Sequence, residues 1–592
     1  MTTRLARLGC LVSLILAVTP VASPAGVKRV WAVNDTEKIA RENLSSPLAA
    51  GNSAWDGRSV KLFGARNEVL AVQVIVEADE RGIASLSLRL PELKQRGGTA
   101  RFAYVPPGAD PTDSVGRPIQ LFALNYMHVP GPATAHWIYR AGTESAARGM
   151  GWQPVQIVPE NARSGRGGFP LGVPPSSNQA FWIEIYTGKE RPAGIYEGAI
   201  EIVADGRTIR LPIELELFGF ALPDENSLNL MVYFEGSQPE RYMGRNFDAE
   251  FHRFAHRHRV ELVHAYDEAA LRQAFARFTG AAFTPAERYE GPGETVGHRF
   301  APATFYGPGR AFESRESARS RSDAWMTFLE KTLPGAITFL YLPDEPGPAQ
   351  YPRLRELADY VHSNPGPGRR LKTFATKEYV PELDGAVDIW CAPPQTYDIA
   401  RARSERAKGR EYWTYNGSRP FLGVPSIEAP AADPRSMAWA AFKENIPTFF
   451  YWHGVHWFHN SQKQGDRRQN VWANPVTFDN RGQPGKEDTG FAYGDGVLIY
   501  PGLEVVHPEE DRGIAGPVST VQLANYRRGL QDHLYLTLAR KAGLGDLVDE
   551  ALRAIVPRVF SEADAKSKVG WAEAGDAYEA MRLKIGRALA AK

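Results

Sequence analysis

Between Leu228 and Trp452, apolar runs of strand length alternate with amphipathic helical ones, and that alternation narrows the fold more than any other feature of the chain. The strand-like runs are Leu228 to Phe234, Val260 to Ala265, Ile337 to Leu342, Leu371 to Ala375, Val387 to Cys391, Tyr412 to Tyr415 and Thr448 to Trp452. Helical periodicity lies between them at Ala249 to His258, Asp323 to Leu333, Tyr351 to Ser363 and Met437 to Glu444. Strand–helix repetition over roughly 250 residues predicts a parallel (β/α)8 barrel of the TIM type, spanning 221–510. Seven strands are legible. The eighth, third in order, falls between Leu271 and Tyr306, a Gly-, Pro- and Arg-rich stretch that reads equally well as a long active-site loop.

A chain of 592 residues exceeds what one core supports, so flanking domains are expected. From 26 to 220 the pattern is short strands and turns, as in Val72 to Val76, Leu86 to Leu90, Phe181 to Ile185 and Leu211 to Leu217. Many short strands without helices predict an antiparallel β-sandwich, and Pro212 points to an edge strand. The Gly-, Pro- and Arg-rich stretch from Gly142 to Ser177 reads as long excursions from it. Residues 511–592 read as a small helical region. Ser519 and Gln522 suggest a capping box opening a helix that ends at Gly543, followed by helical stretches Leu547 to Phe560 and Trp571 to Leu589.

The first 25 residues read as an export signal: Arg4 and Arg7, the apolar run Leu11 to Val18, then Ser23-Pro24-Ala25 as a small-x-small cleavage site. The expected location is therefore the periplasm or the medium, with no integral membrane segment after removal of the signal. Of two cysteines, Cys10 falls in the signal, which leaves Cys391 alone in an apolar strand, without a disulfide or a cysteine-based metal site. Basic and acidic residues number 69 and 68 and are well mixed, which gives no electrostatic case for nucleic acid.

Active sites of such barrels lie at the C-terminal ends of the strands. Those ends carry Glu235, His264, Asp344-Glu345, Glu378-Tyr379, Tyr415-Asn416 and Trp452-His453. The set is aromatic, polar and rich in carboxylates, as a sugar site requires, and it lacks the basic cluster of a phosphate site. Its sharpest member is Tyr341-Leu342-Pro343-Asp344-Glu345-Pro346, where an apolar strand runs into two acids. Neighbouring strand residues point to opposite faces, so the pair shares one site only where the strand has ended. Pro343 and Pro346 supply that ending, and Pro346 biases Glu345 away from helical conformation. The competing reading is an acidic turn that caps the next helix.

Glycosidic cleavage needs an acid at the leaving oxygen and a second group at the oxocarbenium-like centre, commonly a carboxylate about 5 Å away. The sixth legible strand ends in Trp413-Thr414-Tyr415-Asn416 without an acid, and Glu378 is the one strong second candidate. That shortage favours attack by a substrate 2-acetamido group, with Asp344 orienting its nitrogen and Glu345 serving as acid and then base. His264, Glu378, Tyr379, Trp413, Tyr415, Trp452 and Trp457 are the candidate substrate contacts, the tryptophans as stacking platforms or as rim packing. The histidines at 453, 456 and 459, and at 252, 256 and 258, lack a carboxylate completing a zinc spacing. No metal or organic cofactor is called for.

These residues carry a resemblance to glycoside hydrolase family 123 and the wider bacterial group sharing its barrel. The resembling segments are Ala65-Arg66-Asn67-Glu68-Val69, Pro192 to Gly198, Tyr341 to Pro346, Trp413-Thr414-Tyr415, Phe450-Tyr451-Trp452, Gly494-Asp495-Gly496, Tyr500-Pro501-Gly502 and Tyr526 to Leu536. They cover nearly the whole chain after the signal, although Gln522 stands where relatives tend to carry arginine. The resemblance implies β-N-acetylgalactosaminidase chemistry on a glycan or glycoconjugate by substrate-assisted catalysis, with its Asp-Glu pair falling on Asp344 and Glu345. Two alternatives remain: hydrolysis of a sugar lacking an acetamido group with Glu378 as second carboxylate, and a carbohydrate-binding envelope protein that has lost catalysis.

Overall fold

The seven legible runs of the central region form one curled parallel sheet. The computed structural model describes residues 26–140, 149–458, 468–481 and 490–592. The proposed export signal and His459 lie outside the described residues. The parallel strands are β1 (Asn229–Tyr233), β2 (Glu261–Val263), β3 (Phe339–Tyr341), β4 (Lys372–Ala375), β5 (Ile389–Ala392), β6 (Glu411–Tyr415) and β7 (Thr448–Tyr451), ordered β2-β1-β7-β6-β5-β4-β3. The two ends of that order are consecutive in the chain. Strand alternation sends Met231, Val263, Phe339, Phe374, Cys391, Trp413 and Phe450 into one buried cluster. The residues between them, such as Leu230, Leu262, Leu340, Trp390, Tyr412 and Tyr451, pack outward in the larger core with the helices. Cys391 is a free thiol sealed in the inner cluster.

The third strand of the expected eight is absent as a ladder. In its place runs the segment 299–303. Ala301 and Ala303 donate to Ile337 and Phe339 at β3, and the Pro302 carbonyl accepts from Tyr266 just beyond β2. Pro302 has no N–H to give, which is why the segment meets its neighbours by isolated bonds. The carboxylate of Glu261 takes up the amides of Arg299 and Phe300.

The N-terminal region supplies five strands of one seven-stranded sheet and all seven of another, and both contribute to one apolar core, among its members Trp31, Val72, Val74, Leu88, Ile202 and Leu215. In one sheet Val27–Asn34, Val69–Ala78, Asn178–Tyr186, Ile119–Val129 and Gly151–Pro159 pair antiparallel. The strand Gly151–Pro159 falls in a stretch expected to be loop. The other sheet is mixed, because Val60–Arg66 runs parallel to Arg207–Ala221. That last strand is internal, yet its pairing with Val60–Arg66 begins only at Ile213, so Pro212 sits where no partner asks for its missing N–H.

The C-terminal region is built into the N-terminal sheet. Pro517–Thr520 and Tyr500–Pro501 extend the first sheet, and helix Val521–Lys541 is buried on every face along most of its length. Its N-cap is Thr520, whose hydroxyl accepts from the Leu523 amide at 3.1 Å; Ser519 is still in the strand. Two further helices follow, Gly545–Ile555 and Gly575–Ala590. Among the described residues no helix is long and apolar enough to cross a membrane.

Candidate active site

Beyond Tyr341 the chain leaves the sheet through Pro343 and turns at Asp344 and Glu345, whose side chains stand exposed at the C-terminal end of β3. Pro346 forbids the right-handed helical region to Glu345, and the residue takes the left-handed one, with φ of 42°. A non-glycine residue there is strained and must be held by its surroundings. The holder is Thr376, one residue beyond β4. Its Oγ1 accepts from the Glu345 amide at 2.9 Å and donates to Asp344 Oδ1 at 2.8 Å, so one hydroxyl fixes both acids. The Tyr341 hydroxyl adds a second bond to Asp344 Oδ1 at 2.7 Å. Among the described residues nothing hydrogen-bonds to Asp344 Oδ2. Tyr415, at the end of β6, donates to Glu345 Oε1 at 2.6 Å. Burial and then the adjacent carboxylate push both phenols well above their ordinary range, so each stays a donor.

These groups line a cavity of about 630 Å³ whose walls are aromatic: Trp137, Tyr306, Phe450, Trp452 and Phe478. Asp495 ties the wall together. It accepts from Trp137 Nε1 at 3.0 Å, Trp452 Nε1 at 2.8 Å and the Tyr451 hydroxyl at 3.1 Å. Burial lifts its carboxyl above the usual range against those bonds. Phe478 meets Trp452 edge to face with ring centroids 5.2 Å apart, and Trp137 at 5.3 Å. Asn416, in left-handed conformation after β6, accepts the Trp452 amide at 3.0 Å and also lines the cavity. An aromatic box with two exposed acids on one wall suits a polar ring with an apolar face.

Of the sequence candidates, Asp344, Glu345, Tyr415 and Trp452 come together here. Trp413 does not reach the cavity: it is fully buried beneath it among Phe300, Phe339 and Phe374, because an odd position on β6 points inward one layer below Tyr415. Trp457 is likewise sealed, packing on Tyr242 and Phe251 with its Nε1 bonded to the Ile499 carbonyl at 3.1 Å. Both are core residues in this structure, not platforms. Glu378 lies outside the cavity, 3.2 Å from Lys377 Nζ and accepting from Thr396. Tyr379 packs on Trp390 under Arg401. His264 lines a separate cavity of about 360 Å³ with Glu235 and Arg277, and burial pushes its imidazole down to about 4. Tyr233 lines that cavity and meets the ring of Tyr306 edge to face, with centroids 4.7 Å apart, so the two cavities are neighbours.

Thr376, Tyr341, His136, Trp137, Phe478 and Asp495 were not among the candidates. Thr376 precedes Lys377-Glu378 by one position, and reading the strand end one residue earlier finds it. Asp495 stands in Gly494-Asp495-Gly496, whose sequence does not say where in the fold it lies. His136 and Trp137 arrive from the N-terminal region, and nothing local in their sequence announces the destination.

With parallel strands curled around an aromatic cluster, the paired acids stand at the C-terminal strand ends, where active sites of parallel β/α barrels lie. No family model and no curated protein matches the chain. Among solved structures it is similar to a family 123 glycoside hydrolase from Clostridium perfringens described for glycolipid glycan hydrolysis: 12% identity, 95% of this chain, 98% of that chain, TM-score 0.61. The two share a fold. It also aligns with a β-glucuronidase from Parabacteroides merdae over 64% of this chain and 45% of that one, at 9% identity and a TM-score of 0.23, which carries no argument.

Proposed function

We propose that the protein is an exported glycoside hydrolase, a retaining β-N-acetylhexosaminidase of N-acetylgalactosaminide type, acting on a glycan or glycoconjugate by substrate-assisted catalysis. The observation that carries this reading is the Asp344–Glu345 pair, fixed by the Thr376 hydroxyl at the floor of an aromatic cavity that Glu378 does not line. The other carboxylate of that cavity, Asp495, is engaged by two indoles and a phenol. With no further carboxylate lining the cavity among the described residues, the substrate's own acetamido oxygen attacks C1. Asp344 accepts the acetamido N–H, with Oδ1 held by Tyr341 and Thr376 and Oδ2 facing no donor among the described residues. Glu345 protonates the glycosidic oxygen as the C1–O bond breaks, and an oxazoline forms. The Glu345 carboxylate then takes a proton from the water that opens it at C1, which returns the β-anomer and restores the acid. Trp137 and Trp452 fit the role of walls around the acetyl group and the sugar ring.

The test is hydrolysis of aryl β-N-acetylgalactosaminide and β-N-acetylglucosaminide, with a thiazoline mimic of the oxazoline as inhibitor. Turnover that falls about 10²–10⁴-fold in Glu345→Gln and is blocked by the thiazoline is the expected result. Turnover of sugars without an acetamido group, insensitive to the thiazoline, would sink it.

A further inference from the structure

Arg257 ends the helix Asp248–Arg257 where that helix meets the first sheet, and it is 7% exposed. Its guanidinium has one protein hydrogen bond, from Nη1 to the Glu290 carbonyl, and lies 5.4 Å from the ring of Tyr186. Nε and Nη2 have no partner, and among the described residues no carboxylate lies within ion-pair distance. Gln120, 6% exposed, has its Nε2 unpartnered as well. Both side chains line one small cavity of about 40 Å³, together with Phe122, Phe254, Glu184 and His258.

The charges around this space do not cancel. The Glu184 carboxylate is taken by both Nη atoms of Arg527 and by Trp182 Nε1 at 3.2 Å. His258 directs Nδ1 to the Phe254 carbonyl at 2.8 Å and Nε2 to Ser519 at 3.1 Å. Burial holds its imidazole neutral at ordinary pH, pushed down to about 3. Glu184 faces two buried guanidiniums, bonded to that of Arg527 and only attracting that of Arg257, which leaves one positive charge in excess, and an unbalanced buried charge is among the costliest features a fold can carry. A water molecule satisfies donors and leaves the charge; unpartnered N–H donors lining one cavity that carries a net positive charge call for an anion. The volume admits one water-sized occupant, and Phe122 and Phe254 favour a weakly hydrated one.

We propose that this cavity binds a single monovalent anion of halide size, held by Arg257 Nε and Nη2 and by Gln120 Nε2, at the joint between the first sheet and the parallel-sheet region. The site is remote from Asp344 and Glu345 and independent of the reaction assigned to them. The probes are sodium chloride, sodium bromide and, at equal ionic strength, sodium gluconate, whose anion is too large to enter. Thermal unfolding of the full chain should show a saturable rise in Tm with either halide and none with gluconate. Arg257→Gln should abolish the halide-specific rise. Gln120→Leu, which keeps the charge and removes one donor, should weaken the apparent halide affinity about tenfold. Should Arg257→Gln fail to fold, bromide-soaked crystals of the unmodified protein decide. An anomalous bromine peak between Arg257 and Gln120 supports the site. Water alone there at saturating bromide, or equal Tm in chloride and gluconate, overturns it.

Discussion

Thr376 is the residue on which the two acids most depend. Thr376→Val keeps the shape and removes the hydroxyl that accepts from Glu345 N and donates to Asp344 Oδ1. The left-handed turn at Glu345 then loses its anchor, and kcat on an N-acetylhexosaminide should fall by about 10–100-fold, with Thr376→Ser recovering most of it. A change in KM with kcat intact would instead make Thr376 a mere binding contact. Tyr415→Phe removes the donor to Glu345 Oε1 and should also lower kcat, measured on the same substrate with the melting temperature unchanged. The acids themselves were legible in the sequence because prolines at 343 and 346 announce a strand end. Thr376 was not, since a threonine finishing an apolar strand looks like any β-former. Trp413 and Trp457 misled for the converse reason: an aromatic near a strand end signals bulk, and only the register decides whether that bulk lies in the site or beneath it.

At the scale of elements, the helix Asp248–Arg257 carries an acid-labile contact. Among the described residues neither ring nitrogen of His252 or His298 makes a hydrogen bond, although His252 Nε2 lies 3.5 Å from Asp248 Oδ1, and the two rings lie 5.3 Å apart. His256 stacks on Phe283 at 3.6 Å and bonds to the Gly293 carbonyl. Nearby charges are Arg277, Asp248, Asp224 and Arg259. Burial pushes His252 down to about 3 and His256 to about 4, from an ordinary 6.5, and holds His298 well below its usual value. Because these folded-state values are depressed, the unfolded chain binds more protons below pH 6.5. Stability is therefore full above pH 6.5 and lost as pH falls toward 4, with a slope of about 1.4 kcal/mol per pH unit for each histidine. Denaturant unfolding between pH 7 and 4 should show this, and His252→Phe should flatten it; an unchanged slope would remove the histidines as its cause. The sequence puts His252, His256 and His258 close together without a carboxylate completing a zinc spacing, and only the fold shows that the rings of His252 and His256 meet Phe234 and Phe283. The strands, by contrast, were readable wherever apolar runs were continuous. The third was not, because Pro302 denies the segment a regular ladder.

At the scale of the molecule, the three regions read from the sequence are joined by a buried ionic network that no local pattern foretells. Glu68, in the turn between two N-terminal strands, contacts Arg528, Arg582 and the hydroxyl of Tyr535. Asp532 pairs with Arg435 at 2.6 Å and with Arg582 at 2.5 Å, and Glu579 with Arg435 at 2.7 Å and Arg528 at 2.9 Å. These residues belong to four separate segments: the N-terminal turn at Glu68 and the helices Ala432–Glu444, Val521–Lys541 and Gly575–Ala590. Removing one partner strands a charge in a dry interior, so Glu68→Gln or Asp532→Asn should cost about 3–5 kcal/mol. Since helix Val521–Lys541 is buried on nearly all sides, and the strand before it completes an N-terminal sheet, no region is left with a surface of its own along that seam. The protein should therefore unfold in one calorimetric transition, and a chain ending at residue 510 should not fold. Two resolved transitions, or a soluble and cooperative 26–510 fragment, would mean that the network decorates the seam and does not hold it. The cavity around Asp344 and Glu345 is likewise built by the whole chain, because Trp137 comes from the N-terminal region and Asp495 from the segment leading to that central helix. Loosening Glu68 should thus lower activity and stability together, although no atom of Glu68 lies in the cavity.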